Sequence, residues 1–436
     1  MSERSSLLPS HTVAVIGLGY VGLTTALLAA RAGFTVLGVD TDAARRAMIE
    51  AGETPFSLTD PDLHALCIEA IQSGALRVSD SLAPADILFL AVPTPVLASG
   101  MPDEQALRTA LTAVATCSPA FQLLVLESTL APGTTARLVA PMFERATDRV
   151  AHAPERVMPG KLLANATSLP RVIGVESDRT WASMHELYTH IYGAPLRRAT
   201  WANAELSKTA ENAWRDMNIA FANTLALACE AAGGDFDTVR MLVNESPGRQ
   251  VLKAGVGVGG SCLPKDSYLL GAVLADNGYL RAARAVNESM PHHAAMLAAQ
   301  CVGGNLTGKR VLVLGASYLE NVQELAHSPA LAFAARLREL GAQVLQHDPH
   351  VPVYQGEVTA MAEGCQLIAL ATDHDAYQEL DFEMLRRVVP STTAFLDLRC
   401  SRLAAVAGKA GFLVTRLGDS ERSRELHPCA ASSKEI

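Results

Sequence analysis

The chain has 436 residues, 49% of them hydrophobic, and 36 lysines and arginines against 45 aspartates and glutamates give it a formal charge of −9. That length suffices for about three domains with real cores, and the acidic balance argues against nucleic acid or an anionic membrane surface as a partner. The eight cysteines are scattered, with no CxxC pair and no metal-type His/Cys spacing, which argues against a disulfide frame or zinc site and suits a reducing cytoplasm. No apolar run approaches membrane-spanning length and the first ten residues hold no apolar stretch, so neither anchoring nor export is expected.

In chain order, Thr12 to Ile16 predicts a strand, Gly17, Gly19 and Gly22 a glycine turn, the Ala/Leu-rich stretch from Leu23 a helix, and Phe34 to Asp40 a second strand. This is a dinucleotide fingerprint. Gly17 allows the tight turn, Gly19 lets the backbone approach a pyrophosphate, Gly22 permits close packing, and the helix start at Tyr20 and Val21 offers unpaired amides to the anion. Asp40 is placed for the ribose hydroxyls and favours NAD over NADP. Arg45, counted among the cofactor contacts, and Arg46 soften that preference without reversing it.

Ile87 to Val92, Leu123 to Leu126 and Val172 to Val175 predict strands alternating with helices, the pattern of a parallel sheet. Near Thr200 the alternation breaks, and Trp201 to Gly233 reads as one long helix bridging two domains. A second α/β unit begins at Lys309 to Gly315, continues through a helix after Pro329, and reaches Gly341 to Asp348, with Leu367 to Ala371 and Ala394 to Leu398 as further strands. Only Gly315 survives there of a glycine turn. The polar stretch from Asp419 to Ile436 reads as a flexible tail. The expected fold is α/β, two Rossmann-like parallel-sheet domains joined by a long central helix. Its expected divisions are an NAD-binding domain over 1–200, a central helical and dimerisation region carrying the cysteine loop over 201–300, a sugar-nucleotide domain over 301–420 and a tail over 421–436.

Gly259, Gly260, Ser261, Cys262, Leu263, Pro264, Lys265 and Asp266 form the most telling run. A thiolate nucleophile combined with a hydride acceptor suits oxidation of an alcohol through an aldehyde to an acid, because cysteine traps the aldehyde covalently. A helix following the glycine loop would favour the thiolate, and Pro264 suits its first turn. The plainer reading of Cys262 is an inert buried cysteine. Lys208 and Asn212 stand one helical turn apart and together suit a developing oxyanion; taken alone, Lys208 reads as a solvated helix charge. His374 reads as a loop histidine with a structural hydrogen bond.

The motifs GLGYVGL at Gly17, VPTP at Val92, ESTLAPGTT at Glu127, APERVMPG at Ala153, AELSKTAEN at Ala204, GVGGSCLPKD at Gly257 and HSPA at His327 together resemble the nucleotide-sugar 6-dehydrogenases, the family of UDP-glucose, GDP-mannose and UDP-N-acetylmannosamine dehydrogenases. The likeness covers nearly the whole chain. PERVMPG, RVIG at Arg171 and RDMNIAFAN at Arg215 are similar to the UDP-N-acetylhexosamine branch, whereas GGSCLPKD is similar to the UDP-glucose and GDP-mannose branches.

The resemblance implies NAD as cofactor and Cys262 as nucleophile, with Lys208, Asn212 and Asp266 in proton and oxyanion work, and Thr129 and Glu155 orienting water. It implies Thr94 and Thr129 beside the cofactor, and Arg156, Val157, Lys208, Asn212, Arg215, Arg249, Gly255, Tyr318 and Arg399 about the UDP-sugar, arginines being suited to a diphosphate. A cytoplasmic homodimer through the long helix, serving polysaccharide biosynthesis, is expected by the same analogy. Two departures stand out: Leu319 and Ala326 occupy positions where the family commonly carries lysine and arginine. Three readings therefore stand. The first is a UDP-N-acetyl-D-mannosamine 6-dehydrogenase, with UDP-glucose or UDP-N-acetylglucosamine as alternative substrate. The others are a two-electron 3-hydroxy-acid dehydrogenase, with no need of Cys262, and a sugar-nucleotide binder with weakened catalysis.

Overall fold

The computed structural model describes residues 10–54 and 60–419; the stretch read as a tail over 421–436 lies outside them. The chain divides into two compact units, one of residues 1–212 with 265–277 and one of residues 213–264 with 278–436.

The first unit is built on an eight-stranded sheet of β1 (Thr12–Ile16), β2 (Thr35–Val39), β3 (Leu76–Ser79), β4 (Ile87–Leu90), β5 (Leu123–Leu126), β6 (Val150–His152), β7 (Arg171–Gly174) and β8 (Leu196–Ala199), in spatial order β3-β2-β1-β4-β5-β6-β7-β8. Every pair is parallel except β6 with β7, joined antiparallel at His152 and Gly174. The central strands are unbroken apolar runs because helices cover both faces. Alternate side chains serve the two faces: Val13, Val15, Phe89 and Val125 pack on one side, and Ala14, Ile16, Leu88, Leu90 and Leu124 on the other. From β1 the chain runs out through β2 and β3, then crosses back to β4. That reversal opens a crevice at the carboxyl ends of β1 and β4, where open α/β sheets hold ligands.

The long helix runs from Trp201 to Ala232, 32 residues without a break, about 48 Å at 1.5 Å per residue. Its start is tied into the first unit, where the Trp201 indole donates to the Val150 carbonyl at 3.2 Å and the buried Glu205 accepts from the amides of Gly133 and Thr135 at 2.5 and 2.7 Å. Glu205 thus serves as an anchor for the Ala131–Thr135 turn.

The second unit carries an all-parallel sheet of β9 (Arg310–Leu314), β10 (Gln343–His347), β11 (Leu367–Leu370), β12 (Ala394–Asp397) and β13 (Leu413–Arg416), ordered β10-β9-β11-β12-β13. A second long helix, Gly278–Cys301, contains Pro291. A buried polar chain links this helix to the later turns of the first: Arg284 donates to Asp216 at 2.7 Å, Asn287 to Asp216 at 2.8 Å, and Asn223 to Asn287 at 2.9 Å. Among the described residues no helix is long and apolar enough to cross a membrane, and no cluster of side chains is arranged to hold a metal ion.

Candidate active site

The dinucleotide fingerprint lies in the crevice of the first unit. Gly17 has φ +90°, and a Cβ there would meet the Ala91 carbonyl oxygen at 2.6 Å; a Cβ on Gly22 would lie 1.8 Å from the Gly17 oxygen. Both glycines are demanded by the protein itself. Gly19 differs: a Cβ would meet nothing within 4 Å, and Gly19 caps the Tyr20–Arg31 helix without any side-chain hydrogen bond. The half-buried Tyr20 and Val21 begin that helix, whose uncapped N-terminus faces open space, the arrangement that receives a pyrophosphate.

Asp40 directly follows β2, accepting from the Leu18 amide at 2.8 Å and the Asp42 amide at 2.9 Å, while Arg45 approaches it at 3.4 Å and Arg46 donates to its carbonyl. The carboxylate is thereby fixed at the edge of the crevice where a ribose would lie. Thr94, just past β4, donates its hydroxyl to the Thr129 carbonyl at 2.6 Å, tying the loops after β4 and β5 together. These residues fit NAD.

Elsewhere in the first unit, Asp266 is completely buried and held from two sides. The Asn212 amide donates to one carboxylate oxygen at 2.5 Å and the Lys265 ammonium reaches the other at 2.6 Å. Lys208, one turn before Asn212, is half-buried. The ion pair of Lys265 with Asp266 was not foreseen from the sequence, although the lysine stands next to the aspartate in a cysteine motif.

Glu155 is buried, accepts from the Arg156 amide at 2.7 Å and pairs with Arg171 at 2.5 Å. Arg156 turns its guanidinium to Glu211 at 2.8 Å and to the Pro170 carbonyl at 3.1 Å, and Val157 packs on the core. Arg171 and its second carboxylate partner, Glu127, were also missed. The available signal was a glutamate ending the wholly apolar strand Leu123–Leu126, a place where a charge requires a buried partner.

In the second unit, Cys262 is exposed, and the Leu263–Gly271 helix begins at the next residue, so the thiol stands at a helix N-terminus. The glycine loop before it is braced by the segment following β9. The Gly260 amide donates to the Ala326 carbonyl at 2.8 Å, and Cβ atoms on Gly259 and Gly260 would strike Tyr318 at 2.6 and 2.9 Å. Burial pushes the Tyr318 hydroxyl up to about 12, and the nearby Cys262 adds to the effect. Gly255 is held by Asn223, which accepts its amide at 2.9 Å, and a Cβ there would lie 2.6 Å from the Arg399 guanidinium.

Arg399 meets Glu320 at 3.2 Å, and its buried Nε has no hydrogen-bond partner among the described residues. Lys253 donates to the Cys400 carbonyl at 3.2 Å. Arg215 is exposed, and the exposed Arg249 donates to the Pro247 carbonyl at 2.7 Å. His374 accepts the Asn321 amide on Nδ1 at 2.9 Å and donates from Nε2 to Asp348 at 3.1 Å; both ring nitrogens are thereby occupied in structure.

The crevice with its uncapped helix and acidic strand end forms a dinucleotide site that fits NAD, and comparison with known proteins makes the chain an NAD-dependent oxidoreductase. Residues 11–192 match the NAD binding domain of the UDP-glucose/GDP-mannose dehydrogenase family, 202–289 its central domain and 312–402 its UDP binding domain. The chain is 31% identical over 417 residues to the UDP-N-acetyl-D-mannosamine dehydrogenase of Methanococcus maripaludis, covering 93% of this chain and 97% of that protein. It is also 31% identical over 432 residues to an NDP-N-acetyl-D-galactosaminuronic acid dehydrogenase of Ralstonia solanacearum, covering 92% and 100%. The solved structure of the UDP-D-ManNAc dehydrogenase of Pyrococcus horikoshii superimposes with a TM-score of 0.83 at 32% identity, over 93% of this chain and 99% of that one. The chain belongs to the UDP-glucose/GDP-mannose dehydrogenase family, the NAD-dependent nucleotide-sugar dehydrogenases.

Proposed function

We propose that this chain is a UDP-N-acetyl-D-mannosamine 6-dehydrogenase that oxidises the C6 alcohol to a carboxylate in two steps, each removing two electrons. The observation that carries the reading is an exposed thiol at the head of a helix whose first turn bears the buried, doubly held Asp266. NAD, when bound, would supply the hydride acceptor, one molecule for each of the two oxidations. In the first step the C6 hydroxyl loses its proton to a water or base held by Asp266 and Lys208. The Cys262 thiolate then adds to the aldehyde, Lys208 and Asn212 hold the oxyanion, and loss of the second hydride leaves a thioester. Water oriented by Glu155 and Thr129 breaks the C–S bond, freeing the acid and restoring the thiol. Arg399, beside Gly255, takes the diphosphate, with Tyr318, Arg156, Val157, Arg215 and Arg249 as further contacts.

Trp214 and Phe221, seven residues apart on the long helix, are 55% and 57% exposed, and on this reading they form part of a homodimer face. A cytoplasmic enzyme feeding polysaccharide synthesis agrees with this chemistry. UDP-glucose is the second candidate substrate, favoured by the GGSCLPKD run. The test is NADH formed per mole of limiting sugar nucleotide, with UDP-N-acetylmannosamine, UDP-N-acetylglucosamine and UDP-glucose run in parallel. Two equivalents from the first support the reading. One equivalent removes the nucleophile's role and favours two-electron chemistry, while binding without turnover marks a weakened homologue.

A further inference from the structure

Five elements of the first unit converge on one buried charged group. Glu127, at the end of β5, is wholly enclosed: Tyr188 and Tyr192 donate to one carboxylate oxygen at 2.9 and 3.1 Å, and Thr25 of the dinucleotide helix donates to the other at 2.6 Å. Arg171, at the start of β7, lies 3.5 Å from Glu127 and 2.5 Å from Glu155, with its guanidinium 3.7 Å above the Tyr192 ring. Two carboxylates therefore share one cation, Glu127 sealed from solvent at 1% exposure and Glu155 at the edge of the group at 7%.

We propose that Arg171 and Glu127 are positioning residues for Glu155, with the proton on Glu127 deciding whether Arg171 is shared or given wholly to Glu155. The proposal rests on the reading of Glu155 as the carboxylate that orients the hydrolytic water. With Glu127 ionised, the buried set carries one net negative charge, the guanidinium is divided, and Glu155 keeps accepting capacity for a water. With Glu127 protonated, the set is neutral, Arg171 belongs to Glu155 alone, and hydrolysis slows.

The surroundings leave Glu127 as the group that changes charge. Burial pushes its carboxyl up to about 7, with Arg171 opposing and Glu155 adding to the rise. Burial and the same carboxylate hold Tyr188 and Tyr192 protonated, and Arg171 stays charged. His152, on the paired strand β6, stays neutral because burial drives it down to about 3.

The test compares pH profiles of turnover for the wild type, Glu127→Gln and Tyr192→Phe, together with intact-protein mass spectrometry of Glu155→Gln. Turnover of the wild type should rise through an ionisation near pH 7 that is lost in Glu127→Gln. In Tyr192→Phe, which keeps the carboxyl but removes one donor to its ionised form, that ionisation should move to higher pH. Tyr192→Phe also decides the matter if Glu127→Gln does not fold. Glu155→Gln should accumulate an acyl adduct on Cys262. If the adduct accumulates while the two other profiles match the wild type, the positioning role is overturned and the Glu155 reading stands. If no adduct forms and turnover persists, the Glu155 reading fails and this inference with it.

Discussion

The two α/β units begin alike and finish their first turn differently. Each has a first strand followed by a glycine with positive φ, Gly17 at +90° and Gly315 at +99°, and a second strand followed by an aspartate, Asp40 and Asp348. In the first unit the helix starts at Tyr20 with no side-chain cap. In the second the chain makes a long detour and the helix starts at Pro329, capped by the Ser328 hydroxyl, which also donates to the Ala316 carbonyl at 2.6 Å. Asp40 takes two backbone amides, whereas one oxygen of Asp348 receives the amides of Ala316 and Ser317, the Ser317 hydroxyl and His374. One architecture thus yields an open anion site in one place and a self-satisfied turn in the other. On the proposed reading, anion binding in the second unit falls to side chains such as Arg399.

The sharpest way to break this contrast is Gly19→Asp, which sets a carboxylate at the open helix end. NAD affinity, measured by titration calorimetry, should fall about a hundredfold, the equivalent of two lost charge-assisted hydrogen bonds; a loss below tenfold would mean the helix end does not hold the anion. Arg399→Ala should raise the KM for the sugar nucleotide about tenfold or more while NAD affinity holds, and an unchanged KM would remove it from the diphosphate.

Acid stability addresses Asp348. Burial would raise its carboxyl, but the His374 hydrogen bond and the Ala316 and Ser317 amides outweigh this and hold it well below the usual range. A depressed folded value gives stability that is present above the unfolded carboxylate range, about 4, and lost as pH falls below it. The fall in Tm on acidification should therefore be shallower in Asp348→Asn than in the wild type; equal slopes would count against the assignment. Ser328→Ala should cost about 1 kcal/mol in denaturant melts and leave NAD affinity untouched. Smallest of all, Glu320→Gln frees Arg399 from its ion pair and should lower the sugar-nucleotide KM by no more than about fivefold; a rise would show that Glu320 helps the substrate.

How far the sequence discloses this molecule follows from burial. β1, β4, β5, β9, β11 and β12 announce themselves as apolar runs since both sheet faces are covered. β3, β8 and β13 escape because edge strands carry exposed side chains such as Arg77, Arg197 and Leu413, while β6 is three residues long and includes a histidine. The antiparallel join of β6 to β7 leaves no mark on either strand. Gly17, Gly22, Asp40 and Cys262 are legible because the chemistry they suit depends on local spacing. The grip of Lys265 on Asp266, and of Arg171 on Glu127 and Glu155, depends on which elements the fold brings together. The departure at Ala326 reads from sequence as a lost cation, whereas the structure finds its carbonyl bracing the thiol loop.

That bond from the Gly260 amide to the Ala326 carbonyl has an evolutionary consequence. Every amino acid carries a main-chain carbonyl, so this brace on the cysteine loop does not depend on the identity of residue 326. The side chain there can change, arginine for alanine included, without touching this support of the cysteine loop.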